Sequence, residues 1–389
     1  LPMSLGFDGM AMLAFLGGTS AATGMVIVCT IALAIMVSND LVLPVLLRRF
    51  WHGLTDRIDG PLMLITLIIM GFGLATIYSA THDASDRTTA QVMNMLVGIG
   101  VMWAVAQIPP QKLMRFAVPL YVLGVILLVL VFFFGIKVNG ARRWLSIGFT
   151  RIQPSEILKI AMPLMLAWYF HKYEAALKLR HFVVAALLLL VPFGLIAKQP
   201  DLGTAILVGA AGFYVIFFAG LPWKIIFGMV ALAAGAAPFA WNMLHDYQQK
   251  RILTLIDPTT DPLGAGYHII QSMIAIGSGG SFGKGWLQGT QTHLEFIPER
   301  HTDFIFAVFS EERGLLGNSI LAGLYLLLII RGLMISANAS TLFGRVLGGS
   351  ITLSFFTYAF VNMGMVSGIL PVVGVPLPFI SYGGTAMVT

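Results

Sequence analysis

The sequence has little charge and almost no cysteine. Asp, Glu, Lys and Arg make up 10% of its 389 residues, against roughly 25% in a soluble domain, while 58% are hydrophobic and the mean hydropathy is +0.88. This composition excludes a large soluble domain and predicts a polytopic membrane protein. The single cysteine, Cys29, excludes an intrachain disulfide. We assign the net charge of +6 to cytoplasmic loops and expect no nucleic-acid partner.

Several common site motifs are also absent. The chain has no metal-binding HExxH or CxxC spacing, no Gly-x-Ser-x-Gly nucleophile elbow and no dinucleotide fingerprint. The glycine-rich stretch 277–286 lacks Walker spacing, so we interpret it as flexible backbone rather than a nucleotide-phosphate loop. No metal ligand set is recognisable.

Long apolar blocks are abundant instead, and they become regular from Pro61. About 20 apolar residues span a bilayer, and the blocks predict helices near 61–80, 91–107, 115–135, 154–171, 181–197, 202–219, 222–244, 303–330, 346–370 and 375–389. The last block is still apolar at Thr389 and too short for a full span, so we expect the chain to stop inside a helix. The predicted fold is all-α, a polytopic bundle of about ten transmembrane helices.

Loop charge orients this bundle. The positive-inside rule places the end before Pro61 in the cytoplasm and the two long connections, 136–153 and 246–302, outside. Basic residues nevertheless remain on the outer side: Lys137, Arg142, Arg143, Arg151, Lys198, Lys250, Arg251, Lys284 and Arg300. Either an anionic ligand lies there or late loops tolerate charge.

Charged residues at helix ends are the first candidates for a site. Glu156 and Lys159 are three residues apart and therefore share a helix face. Because intramembrane charges usually serve function, we favour a functional pair over a purely structural salt bridge. Asp201 is placed to cap the helix that follows it. Lys198 is notable for its positive charge on the outer side.

The segment Arg300-His301-Thr302-Asp303 stands where the outer connection re-enters the membrane. Asp303 is either a helix cap or a general base, and the residues alone favour the cap. Deeper in the same helix, Glu311, Glu312 and Arg313 neutralise one another or line a cleft. The Pro- and Gly-rich segment 362–384 is either a broken helix lining a cleft or an outer loop.

Seven motifs in this order resemble the SEDS family of bacterial cell-envelope polymerases, and the rod-elongation branch most closely: GARRW, QPSEILK, KQPDLGTA, DPLGAGYHIIQSMIAIGSGG, GKGWLQGTQ, PERHTDFIFAV and NMGMVSGILPVVGVPLPFISYGG. The resemblance covers residues 57–389. It defines a transmembrane domain, 53–389, with the outer loop 246–302. Residues 1–52 lie outside it, and we interpret them as an extension, either an extra helix or a fused segment.

The resemblance implies a peptidoglycan glycosyltransferase of the bacterial inner membrane. Such a protein polymerises lipid II onto a growing glycan chain beside a class B penicillin-binding protein. The family's essential aspartate falls on Asp303, which replaces the cap interpretation by a catalytic one. Functional positions of the family fall on Glu156 and Lys159.

The chemistry of lipid II suggests roles for the charged residues. Arg143, Lys159 and Lys198 are expected to stabilise the negative charge of the pyrophosphate, and Arg300 and His301 to bind substrate beside Asp303. A divalent cation is compatible with this chemistry. Two other classes stay open: a flippase or other carrier of lipid-linked substrates, which needs its charges near the midplane, and a structural scaffold, which tolerates a change at Asp303.

Overall fold

The computed structural model describes residues 58–383, except 82–84, 139–140, 148–149, 200, 244–248, 250–252, 261–263, 295 and 298. The predictions for 1–52 and for the chain end at 384–389 lie outside these residues. The α-helices in chain order are α1 Gly60–Ala80, α2 Ser85–Ala106, α3 Pro110–Phe134, α4 Pro154–Lys172, α5 Leu179–Lys198, α6 Leu202–Phe218, α7 Trp223–Met243, α8 Ala265–Ser278, α9 Thr290–His293, α10 Ile305–Ala337 and α11 Leu342–Val366.

Within the described residues, six helices are long and apolar enough to cross a membrane: α1, α2 from Asp86, α3, α5, α10 and α11. Two shorter apolar helices are Leu202–Phe218 and Trp223–Ala236. The all-α, multi-pass prediction is confirmed, and the predicted helix positions from 61 to 244 agree with the observed ones to within a few residues. Helix α8, Ala265–Ser278, lies within the connection between α7 and α10.

Helix α4 lies at the centre of the bundle. It packs against α3, α5, α6 and α11, and most of its side chains are buried, from Leu158 to Phe170. A helix that is apolar on all sides is stable only when its neighbours cover it. The outer helices instead expose large side chains such as Phe133 and Leu190, as expected for a lipid-facing surface.

The connection 136–152 forms a small antiparallel sheet that sequence analysis did not foresee. Its strands are β1 Ile136–Val138, β2 Ala141–Ile147 and β3 Thr150–Ile152, in the order β1-β2-β3. The chain then enters α4 at Pro154, whose fixed φ suits a first helical turn. The sheet places Arg143, on β2, near the start of α4.

Helix α10 is interrupted at Gly314, where φ is 63° and ψ is −162°. The break leaves backbone groups without helical partners, and the glycine-rich segment 279–285 supplies them. Lys284 N–H donates to the Glu311 carbonyl at 3.0 Å, and Leu315 N–H donates to the Gly280 carbonyl at 2.9 Å. The interpretation of this stretch as flexible backbone was therefore wrong.

Glycine is required on both sides of this contact. Gly283 and Gly314 have φ of 83° and 63°, a region that favours residues without a β-carbon. A β-carbon at Gly283 would collide with the Glu312 carbonyl, and one at Gly314 with the backbone of Gly283.

The chain after α11 is not helical up to residue 383, so the predicted helix at 375–389 was wrong over 375–383, and the helix predicted to 370 ends at Val366. Pro371, Pro376 and Pro378 have no N–H to donate, and Gly368 and Gly374 have φ of 72° and 71°. Other residues must therefore bond the polar backbone of this segment, 367–383.

Candidate active site

Asp303 lies immediately before α10, in a turn that starts at Glu299. Thr302 N–H donates to the Glu299 carbonyl at 3.0 Å, and Phe304 N–H donates to the same oxygen at 3.3 Å. Phe304 is the N-cap of α10, and no side chain caps this end. Asp303 therefore does not cap the helix, although the residues alone favoured that role.

The backbone of 301–303 is fixed by the segment 367–383. Tyr382 N–H donates to the His301 carbonyl at 2.7 Å, and the Ser381 hydroxyl donates to the Thr302 carbonyl, also at 2.7 Å. The Asn362 amide on α11 donates to the Asp303 carbonyl at 2.8 Å. Consecutive carbonyls from 301 to 303 thus have different partners, which holds Asp303 in place.

The same Asn362 amide also donates to the Val375 carbonyl at 2.6 Å, and Gln91 on α2 completes the support. The Gln91 amide donates to the Ser381 carbonyl at 3.3 Å and accepts from Gly383 N–H at 3.1 Å. Two polar side chains on apolar helices therefore bond the backbone that the prolines and glycines leave irregular.

The carboxylate of Asp303 differs from this well-bonded backbone. Within the part of the chain that the structure describes, it makes no hydrogen bond or ion pair. It faces Gly374, where a β-carbon would lie 3.4 Å from Oδ2. Burial raises the pKa of Asp303 to about 6, and the negative charge of Glu299 acts in the same direction. Such a carboxylate is ionised at neutral pH yet close to its pKa, as a general base requires.

His301 lies beside Asp303 in the chain and packs its ring against Tyr382, with centroids 5.7 Å apart. Burial lowers the pKa of His301, and the charge of Arg87 lowers it further. The imidazole is therefore neutral at pH 7. Arg300 points elsewhere: its Nη1 donates to the Thr292 carbonyl at 2.8 Å.

Glu156 and Lys159 form an ion pair on α4. Lys159 Nζ donates to both carboxylate oxygens of Glu156, at 2.9 and 3.0 Å, and lies 5.6 Å from the ring centroid of Tyr358 on α11. Tyr358 and Asn362 are four residues apart and therefore share a face of α11. One face of α11 thus carries contacts both to the Glu156–Lys159 pair and to the Asp303 backbone.

Arg143 and Asp201 lie together near the starts of α4 and α6. Arg143 Nη1 is 3.7 Å from Asp201 Oδ2, to which the Gln153 amide also donates at 3.3 Å. The predicted cap is confirmed, since Asp201 Oδ1 accepts from Thr204 N–H at 3.3 Å. Next to it, a β-carbon at Gly203 would lie 3.0 Å from the Val373 carbonyl.

Val373 and Gly374 are adjacent, so the segment 367–383 separates the Asp201 group from Asp303. Of the predicted residues, His301 is two residues from Asp303 in the chain, and Arg143 lies near the starts of α4 and α6. Lys198, the last residue of α5, is exposed, and it makes no hydrogen bond or ion pair to a described residue.

Sequence reasoning missed Gln91, Tyr358, Asn362 and Ser381. Gln91 and Asn362 did carry a signal, because each is an uncharged polar residue inside an apolar helix, where a polar group needs a partner. A cluster of three metal-binding side chains is not found among the described residues.

Comparison with known proteins decides the family. A family model described as a cell cycle protein, FTSW_RODA_SPOVE, matches residues 61–389. The chain belongs to the FtsW/RodA/SpoVE family. This is the SEDS family that the motifs indicated.

Relatives within the FtsW/RodA/SpoVE family are well matched along their length. The chain is 50% identical to the peptidoglycan glycosyltransferase MrdB of Escherichia coli K12, covering 88% of this chain and 92% of that protein. It is 31% identical to the peptidoglycan glycosyltransferase RodA of Treponema pallidum, covering 87% of this chain and 96% of that protein.

Two solved structures of the family have the same fold. One chain comes from "Structural coordination of polymerization and crosslinking by a peptidoglycan synthase complex". It has a TM-score of 0.73 and 34% identity, over 85% of this chain and 93% of that chain. The other is Thermus thermophilus RodA, with a TM-score of 0.63 and 30% identity, over 85% of this chain and 92% of that chain.

Proposed function

We propose that the chain is a peptidoglycan glycosyltransferase that polymerises lipid II, with Asp303 as the general base. One observation carries the assignment of Asp303. Its carboxylate makes no hydrogen bond or ion pair to a described residue, whereas the backbone carbonyls of residues 301–303 all accept hydrogen bonds. The names of the relatives support the activity.

In the proposed reaction, Asp303 takes the proton of the acceptor sugar's 4-hydroxyl as its oxygen attacks the anomeric carbon of the donor. The bond from that carbon to the pyrophosphate oxygen breaks, and polyprenyl pyrophosphate leaves with the bonding electrons. An α-linked donor gives a β-linked product by inversion, which needs one base and a stabilised leaving group.

The basic residues are proposed to act on the leaving group. Lys159 and Arg143 are each paired with a carboxylate in the free protein. A pyrophosphate bound between α4 and the segment 367–383 would compete for these cations through charge-assisted hydrogen bonds. We assign Lys198 and His301 to substrate binding around this position, and the pairing partner Glu156 to orienting Lys159. Arg300, which the sequence placed in substrate binding, donates to the Thr292 carbonyl and is not assigned to the substrate.

The multi-pass chain is proposed to lie in the bacterial inner membrane, with the Asp303 side outward, and to work beside a class B penicillin-binding protein. The first solved relative, described as part of a synthase complex that couples polymerisation with crosslinking, supports a partner of this kind.

The test is polymerisation of labelled lipid II by the purified chain, with and without the penicillin-binding protein. We expect long glycan chains from the wild type and polymerisation at least about 10²-fold slower from Asp303→Asn, which should still co-elute with its partner. Glycan chains from Asp303→Asn at the wild-type rate would remove Asp303 from the base role. Movement of lipid II across vesicles without any glycan product would favour a flippase instead.

A further inference from the structure

A second buried carboxylate lies eight residues beyond Asp303, on the second turn of α10. Glu311 is fully buried, and both of its oxygens are surrounded by donors. Oε1 accepts from Lys284 Nζ at 2.7 Å, from Gln291 N–H at 2.9 Å and from the Thr290 hydroxyl at 3.2 Å. Oε2 accepts from the Thr292 N–H and hydroxyl at 3.2 and 3.1 Å. A buried charge is stable only with this many partners.

Thr292 connects Glu311 to the segment that carries Asp303. Its N–H and hydroxyl bind Glu311, while its carbonyl accepts from Arg300 Nη1 at 2.8 Å. Thr292 is itself buried. Arg300 precedes Asp303 by three residues, so a short chain of hydrogen bonds leads from Glu311 to the turn of Asp303.

Thr292 is the last residue of the segment 284–292, and the first residues of this segment also bond to α10. Gly285 N–H donates to the Glu312 carbonyl at 3.1 Å, and Leu287 N–H donates to the Glu312 carboxylate at 3.2 Å. The Ser79 hydroxyl of α1 donates to that carboxylate as well. The guanidinium of Arg313 lies over the Phe72 ring, 5.9 Å from its centroid, and its charge acts on Glu312.

We propose that Glu311 is a positioning residue for the reaction: its carboxylate fixes the segment 284–292 on α10 and, through Thr292 and Arg300, sets the location of Asp303. This role rests on the proposed function. The segment 284–292 is attached to α10 at both Glu311 and Glu312, and α10 begins next to Asp303. Because of these two attachments, we expect Asp303 and the segment to move together.

The test compares Glu311→Gln with Asp59→Asn. Asp59 is a buried carboxylate that pairs with Arg331 of the same helix at 2.6 Å, near the helix's other end. Glutamine keeps the shape of Glu311 but turns one oxygen into a donor and leaves the other uncharged, so the N–H groups of Gln291 and Thr292 cannot both keep a carboxylate acceptor. We expect Glu311→Gln to lower kcat about tenfold or more with KM changed less than about threefold. We also expect it to speed amide hydrogen exchange at Gln291 and Thr292.

Asp59→Asn should lower the thermal midpoint while kcat stays within about twofold of wild type. An equal loss of kcat in both variants, or an unchanged kcat in Glu311→Gln, would overturn the proposal, since the role would then be only structural. The exchange measurement needs no substrate. A wild type that makes no glycan would therefore contradict the proposed function, whereas the exchange rates would still show whether Glu311 holds the segment 284–292.

If Glu311→Gln does not fold, the pair Thr292→Val and Thr292→Ser replaces it. Valine has the shape of threonine without the hydroxyl that donates to Glu311 at 3.1 Å, whereas serine keeps it. We expect the valine variant to lose several-fold in kcat and the serine variant to recover it. Equal activity of the two variants would contradict the proposal.

Discussion

Two carboxylates near the start of α10 have opposite surroundings. Glu311 is fully buried and accepts hydrogen bonds from Lys284 and from 290–292. Asp303 is partly exposed and bonds to none of the described residues through its carboxylate, although its backbone is held. A carboxylate whose acceptor sites are filled has no capacity left for a substrate proton, whereas an unfilled one has. We therefore assign a carboxylate the role of anchor at Glu311 and propose a carboxylate as the base at Asp303.

The largest effect is expected for Asp303→Asn, and its combination of activity and thermal stability should differ from that of Glu311→Gln. Asp303→Asn should reduce polymerisation by about 10²- to 10⁴-fold, the usual contribution of a general base. It should also raise the thermal midpoint, because a raised pKa means that the ionised carboxylate destabilises the fold. Glu311→Gln should lower the thermal midpoint.

The pH dependence of this stability difference follows from the sign of the shift. The pKa of Asp303 is raised from 3.8 to about 6, so the wild type loses stability as pH rises through this interval. In thermal melts, the midpoint of Asp303→Asn relative to that of the wild type should therefore rise as the pH is raised from about 4 to about 6. Destabilisation by Asp303→Asn at pH 7 would show that its carboxylate is bonded like that of Glu311.

The next effect concerns Lys159, whose charge is already matched by Glu156. Lys159→Met should lower kcat/KM for lipid II about 10²-fold if the ammonium stabilises the leaving pyrophosphate. It should also destabilise the protein, because Glu156 is left without its partner. The double variant with Glu156→Gln is the control: it should regain stability without regaining activity. Recovery of both would make the pair structural.

A smaller effect is expected at Asn362, which holds the Asp303 carbonyl. Asn362→Leu removes two hydrogen bonds and should lower kcat about tenfold, with a loss of stability of about 1–3 kcal/mol for each group left unpaired. Ser350→Ala on the same helix removes a bond to the Ala211 carbonyl at 2.7 Å and serves as the control. Equal kcat in the two variants would show that the Asp303 backbone needs no such support.

The smallest effect is expected at Glu299, whose negative charge helps to raise the pKa of Asp303. Glu299→Gln should move the acidic limb of the pH–rate profile to lower pH by a few tenths of a unit, since burial, the larger cause, is unchanged. A limb that moves upward would contradict the placement of these two charges.

Local pattern predicted most of the fold because a spanning helix is set by its own apolar residues. The prediction of a helix at 375–383 failed for the same reason: most of its residues are apolar, but Pro376 and Pro378 cannot donate a backbone N–H. The bonds from the Asn362 amide to the Val375 carbonyl and from Leu377 N–H to Ser381 Oγ hold this segment in a non-helical path. The docking of 279–285 into α10 was not foreseeable, since it depends on a break at Gly314 far along the chain.

The candidate site was less accessible to sequence reasoning than the fold. Residue types alone favoured a cap at Asp303, and only the family motif made it a base. Whether Asp303 caps α10 depends on whether backbone N–H groups face its side chain. In the turn that starts at Glu299, the N–H groups of Thr302 and Phe304 donate to the Glu299 carbonyl instead. Glu311 was recognised as a charged residue inside a predicted helix, but its partners come from a loop that no local pattern connects to it.

The pH dependence of lipid II polymerisation tests the central claim most directly. With Asp303 as the base, log kcat/KM of the wild type should rise with unit slope up to about pH 6 and then level off, because only the ionised carboxylate accepts the proton. The residual rate of Asp303→Asn should lack this limb. A wild-type profile that is flat from pH 5 to pH 7, or a limb that persists in Asp303→Asn, would contradict the account.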